Sequence, residues 1–133
     1  MTRHNRGLAV ATELQRANDA LQAAETLLHA GLYNDSVSRA YYGVYHIAYA
    51  VLLTRGLEPK SHAGLRTLFS FHFVKTGKIE QKYLRLIANM QTHREEADYT
   101  SKVIFEKKQA ERLLEDAKAF RHAMTHFLRT SGF

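Results

Sequence analysis

An all-α fold, an antiparallel bundle of about five helices, is predicted by three observations on this 133-residue sequence. Apolar residues recur in steps of three and four along most of the chain. No stretch alternates with a period of two, and the single proline and most of the glycines fall between the periodic segments. At 45% hydrophobic and 24% charged, the composition is that of a globular protein with one core. Residues 1–133 are read as one domain, with 1–10 as a flexible tail. The absence of cysteine excludes disulfides and thiolate metal sites. No apolar run has the length of a signal peptide or a bilayer span, so a cytoplasmic protein with no membrane contact is expected.

Each element follows from local signals. Thr12 with Gln15 makes a capping-box pattern that opens the first helix, and Leu14, Ala17, Leu21, Ala24 and Leu28 carry its stripe to Gly31. Asn34 or Asp35 is placed to cap a second helix running to about Thr54, stopped by Gly56 and Pro59. Ser61 caps a third through "HAGLRTLFSFHFVK", ended by Gly77. A fourth starts near Ile79, with Tyr83, Leu86, Ile87 and Met90 on one side. Thr100 or Ser101 caps a fifth, whose stripe is Ala110, Leu113, Leu114, Ala117, Phe120, Met124 and Phe127.

The second helix is apolar and aromatic around most of its circumference, leaving a gap of Arg39, Gly43, His46, Ala50 and Thr54. Such a helix is central to the bundle. Its tyrosine-rich side either lies inside, with hydroxyls at the rim, or meets a second copy of the chain. The formal charge of +6 is equally consistent with a solvated face and with an anionic partner such as RNA or a nucleotide.

The fourth helix places a charge in its own apolar stripe. At about 100° per residue from Tyr83, Met90 falls near 340° and Arg94 near 20°. A guanidinium there costs several kcal/mol to desolvate unless it is paired. Asp98, four residues on, is the local partner. Either the two form a structural ion pair, or Arg94 lines a cleft and offers its planar fork to a phosphate. In a regular helix Tyr99 points near 160° and does not reach Arg94; it does so only if the helix ends there or a second subunit supplies it.

Taken together, "SRAYYGVYHIAYAVLLTRG", "KSHAGLRTLFSFHFVKTGKI", "HREEADY" and the spacing of Phe105, Ala110, Ala117 and Phe120 resemble the HEPN domains, and among them the small stand-alone proteins associated with minimal nucleotidyltransferases. The likeness covers roughly residues 10 to 128. It implies a helical homodimer paired with a cognate nucleotidyltransferase as toxin and antitoxin. It also implies metal-independent RNA cleavage at an arginine followed four to six residues later by histidine, two such motifs facing across a cleft. Carried over, Arg94 matches the arginine, Asp98 and Tyr99 match the subgroup's "DY", and Tyr99 stands in the histidine's slot. That is a departure, because tyrosine ionises near pH 10 and is a poor general base at neutrality. By the resemblance Tyr99 is a candidate acceptor for nucleotide transfer by the partner enzyme.

Other histidines compete for attention. Arg121 and His126 have the literal motif spacing, yet a regular helix turns them about 140° apart. His122 and His126 are i and i+4 but lack a third ligand at a recognised spacing, so neither metal nor cofactor is expected. His62 reads as a buttress of the third helix, and His46 as facing the polar gap with Arg39. The function that emerges is the HEPN component of a toxin–antitoxin system, acting on RNA or nucleotide at a basic inter-subunit cleft, potentially as a metal-independent ribonuclease. The alternative is a catalytically inactive nucleotide- or RNA-binding or regulatory partner of the nucleotidyltransferase.

Overall fold

The computed structural model describes residues 1–99 and 102–133, and among these there is no strand. The order is α1 (Arg3–His29), α2 (Tyr33–Leu53), α3 (His62–Phe69) continued by a π-helical turn (Ser70–Val74), α4 (Gln81–Tyr99) and α5 (Lys107–Thr130). Short connections make successive long helices antiparallel, as expected of a bundle. No helix is long and apolar enough to cross a membrane among the described residues.

Residues 3–10 are not a tail. They form the first two turns of α1, because Thr2 caps the helix, its Oγ1 accepting the Asn5 N–H at 3.1 Å. Val10 is buried in the core, and Arg3 stacks 4.6 Å from the Phe133 ring while donating to the Gly132 carbonyl at 3.3 Å. Thr12 therefore lies within the helix, where its hydroxyl donates to the Leu8 carbonyl at 3.0 Å instead of capping.

The central helix is α2, which packs most extensively on α1 and then on α5 and α4. Its gap is the face that α1 covers. Gly43 and Ala50 are buried there, and a Cβ on Gly43 would stand 2.4 Å from Leu21 Cδ2. The small residue thus lets the two helices approach. On the same interface Glu13, only 8% exposed, accepts from His46 Nδ1 at 2.7 Å and from Arg16 Nη1 at 3.3 Å. His46 therefore hydrogen-bonds a buried carboxylate on α1, which Arg16 also contacts.

Neither Asn34 nor Asp35 caps α2. The N-cap is Leu32, without a side-chain bond, and Asn34 turns inward across the bundle. Its Nδ2 donates to the Val103 carbonyl at 3.0 Å, and its Oδ1 accepts the Phe105 N–H at 2.9 Å. This clamp holds the connection leaving α4 against the start of α2. Thr100 and Ser101, predicted to cap the fifth helix, lie outside the described residues. The cap of α5 is Glu106, which forms a capping box with Gln109. Burial of Phe105 and the Asn34 clamp keep residues 103–105 irregular, which delays the helix to Lys107. For α3 the predicted cap is present, Ser61 Oγ accepting the Gly64 N–H at 2.9 Å.

Gly43→Ala is expected to destabilise the fold by about 1–3 kcal/mol through overpacking against Leu21. Urea denaturation followed by circular dichroism measures it. An unchanged midpoint would show that the α1–α2 interface has room to relax.

Candidate functional site

Arg94 is buried at 6% exposure, on the same face of α4 as Ile87 and Met90, packed against the N-terminal half of α2. Its Cζ lies 5.5 Å from each of three ring centroids, those of Tyr41, Tyr42 and Tyr99. Three aromatic faces around one guanidinium supply cation–π attraction from several sides. Tyr41 and Tyr42 come from adjacent positions of α2, and Tyr99 from the last residue of α4.

Polar contacts complete the cage. Arg94 Nη1 donates to the Tyr99 hydroxyl at 3.0 Å and lies 3.5 Å from Asp98 Oδ2. The same carboxylate oxygen accepts from Ser38 Oγ at 3.1 Å, so a serine of α2 fixes the acid beside the base. Both named contacts use Nη1, whereas Nε is buried without a partner among the described residues. A guanidinium has five N–H donors, so hydrogen-bonding capacity remains. Burial opposes its charge, but Tyr42, the Tyr99 hydroxyl and Asp98 outweigh that and hold Arg94 above its already high ordinary pKa. It is a permanent cation.

Arg94, Asp98 and Tyr99 are therefore brought together within one chain. Of the two routes by which Tyr99 could reach Arg94, the structure takes the first: Tyr99 is the last residue of α4, and its phenol meets Arg94 without any second subunit. The residue ends α4, and helical side chains lean back toward the N-terminus, so the long phenol folds back over the preceding turn. Tyr99 is 75% exposed nonetheless, so one flank of the cage is open to solvent.

Sequence reasoning missed the floor of the site. Ser38, Tyr41 and Tyr42 stand at i, i+3 and i+4 on one face of α2, a spacing that was available in "SRAYY". It also read His62 only as a buttress. In the structure His62 Nδ1 lies 2.5 Å from the Tyr41 hydroxyl, and its ring centroid is 4.7 Å from that of Tyr45 and 5.6 Å from that of Tyr41. Burial first, then the charges of Arg94 and Arg66, push His62 below the ordinary histidine range, so it is neutral at pH 7. Burial likewise raises Tyr41, which stays a protonated phenol.

The pair at the literal motif spacing stands elsewhere. Arg121 Nη1 is engaged by Asn18 Oδ1 of α1 at 3.2 Å, and His122 and His126 are exposed on the outer side of α5. The two roomiest surface depressions described, about 550 and 560 Å³, are lined by Glu25, Tyr33 and Glu111, and by Tyr83, His122 and Phe127, respectively. Neither is lined by Arg94.

Comparison with known proteins identifies the family of the chain. A family model described as the HEPN domain matches residues 11–127. "Putative toxin MJ0605" of Methanocaldococcus jannaschii is 41% identical over 107 residues, which cover 80% of this chain and 79% of that protein. "Putative toxin MJ0142" of the same organism is 30% identical over 115 residues, covering 86% and 78%. A UPF0332 protein of Thermotoga maritima is 32% identical over 110 residues, 83% of each chain.

A histidine titration by NMR is expected to place His62 below pH 6.5, with Arg94→Met moving it upward because one of the two repelling charges is gone. The sign for stability follows. The folded state resists protonation, so this contribution is present above about pH 6.5 and is lost as pH falls below it. A His62 that titrates at or above 6.5 in the parent would remove Arg94 from its electrostatic surroundings.

Proposed function

Because the chain belongs to the HEPN domain family, we propose that it is the toxin-type component of a two-protein system and acts on RNA or a nucleotide at a basic cleft between two copies. The observation that carries this is Arg94: a permanent cation held in a tyrosine cage whose Tyr99 flank is open to solvent. Two relatives of comparable length are named as toxins, which supports the same role.

In this proposal the cage fixes the guanidinium so that its unused donors face a phosphate. Asp98, held by Ser38, sets the orientation of the fork, and Tyr99 covers the open flank against the ligand. Developing negative charge on a phosphodiester in cleavage would be stabilised by a group that needs no reorganisation and no metal ion. The second copy of the chain brings a second Arg94 and turns an open face into a groove. A cognate nucleotidyltransferase is the proposed antitoxin and the exposed Tyr99 its acceptor: the phenol oxygen would take the nucleotidyl group of a nucleoside triphosphate, losing its proton as the α–β phosphoanhydride breaks and pyrophosphate leaves, and the nucleotide would sit on the cage itself.

A second reading has one observation in its favour. Tyr99 stands where the resemblance expects histidine, and a phenol is a weak proton acceptor near neutrality. The site would then bind a nucleotide or RNA without cutting it.

Three variants separate these readings in an RNA digestion assay with chelator present, alongside sedimentation equilibrium. Arg94→Ala is expected to abolish cleavage or binding while leaving a folded dimer, because the Asp98 left behind keeps its Ser38 bond and is 27% exposed. Tyr99→Phe is expected to weaken cleavage by removing the hydroxyl, and His126→Ala to change nothing. Binding without cleavage by the parent would select the non-cutting reading. A purely monomeric parent, or activity lost with His126→Ala and kept with Arg94→Ala, would overturn the site.

A further inference from the structure

The wall of α3 that faces the tyrosine floor carries two groups with unused donors. His62 and Arg66 are one helical turn apart, i and i+4, on the same side of α3. His62 and Arg94 share the same two tyrosines. Arg94 Cζ is 5.5 Å from the ring centroids of Tyr41 and Tyr42, and the His62 ring is 5.6 and 6.3 Å from them. Arg66 Nη1 donates to Gln91 Oε1 of α4, one turn before Arg94's own, which ties this wall to the helix that carries the cation.

The tautomer of His62 follows from its partner. The Tyr41 side chain is fully buried, and its hydroxyl has no hydrogen-bond partner other than His62 Nδ1 among the described residues. A protonated phenol with one partner donates to it, so Nδ1 is the acceptor and the ring proton sits on Nε2. Nε2 itself has no partner among the described residues. The imidazole is a neutral donor, fixed in orientation from behind.

We propose that His62 and Arg66 form the second wall of the Arg94 site and bind the ribose–phosphate backbone of a single-stranded RNA. Arg66 supplies a second permanent charge, and His62 supplies an Nε2–H aimed by Tyr41. This rests on the reading of Arg94 as a phosphate-binding group, and adds residues that the HEPN resemblance does not assign. The electrostatics agree, because the charges of both Arg94 and Arg66 reach His62 and favour its neutral form. Among the groups that act on His62, the only carboxylate is Glu95, which is exposed and accepts from Gln91 Nε2 at 3.1 Å. A neutral donor between two cations suits an anion that both cations attract.

The test is fluorescence anisotropy of the full chain with a 5′-labelled single-stranded RNA 12-mer, at pH 7.5, with thermal melting of each variant as a control. His62→Ala and Arg66→Ala are each expected to weaken binding about tenfold, the loss of one hydrogen bond to a charged group. His62→Gln carries both an acceptor for Tyr41 and a donor, and is expected to bind within about threefold of the parent. Tyr41→Phe is expected to weaken binding while Arg94 remains in place. If Arg94→Ala loses binding but His62→Ala and Arg66→Ala bind like the parent, the second wall is refuted and the Arg94 site stands. If His62→Gln is as weak as His62→Ala, the neutral-donor assignment is overturned. Parent protein that does not bind the RNA, or binding unaffected by Arg94→Ala, removes both proposals.

Discussion

One charge on the wrong face of a helix organises this molecule. A guanidinium in the apolar stripe of α4 costs several kcal/mol to desolvate, and the bundle must return that energy locally. It does so with three aromatic rings, a phenol hydroxyl and a carboxylate, contributed by two helices. A simple structural ion pair would need only Asp98. The additional rings and the serine that fixes the acid are more than pairing requires, and they make the buried charge tolerable, while the exposed Tyr99 leaves one flank of it open.

The other constraint is the dual use of α2. The face toward α1 carries small residues and a hydrogen bond between His46 and the buried Glu13, so the two helices lie close and hold α2 in place. The aromatic face toward α3 and α4 then serves as a platform whose hydroxyls and ring faces meet Arg94 and His62. A rigid back and a chemically equipped front explain why this helix is nearly apolar all round while still carrying Ser38 and four tyrosines in its length between Tyr41 and Tyr49. Catalytic or binding groups held on helices are placed more firmly than groups on loops.

How much of this was legible in the sequence depended on the range of the interactions. The helices, the Ser61 cap and the glycine stops follow from local periodicity and were readable, as was the anomaly of Arg94 in its stripe. The i, i+4 relation to Asp98 was readable for the same reason. The start of α1 was not, because Thr12 with Gln15 mimics a capping box and Thr2 gives a weaker signal. Asn34 looked like a cap, yet it spends its amide on residues 69 and 71 positions away, which no local pattern encodes. For Tyr99 periodicity left two routes to Arg94 open, because projecting residues at 100° steps cannot tell where the helix ends, nor does it include the length and lean of a phenol. The role of His62 depended on Tyr41 across a helix–helix contact, and periodicity carries no information about such pairs.

The first and last helices are joined at their outer ends by Arg3, whose guanidinium covers Phe133 and donates to the carbonyls of Ser131 and Gly132. Contacts of that sequence separation carry the largest loop-closure entropy in the chain and are the last to reward folding. The opening turns of α1 are therefore the place where the native state frays first and rezips last. The tyrosine platform lies toward the other end of α2, about 20 Å along its axis from Thr54. Breathing where Arg3 meets Phe133 is thus separated along α2 from the part of the platform that holds Arg94.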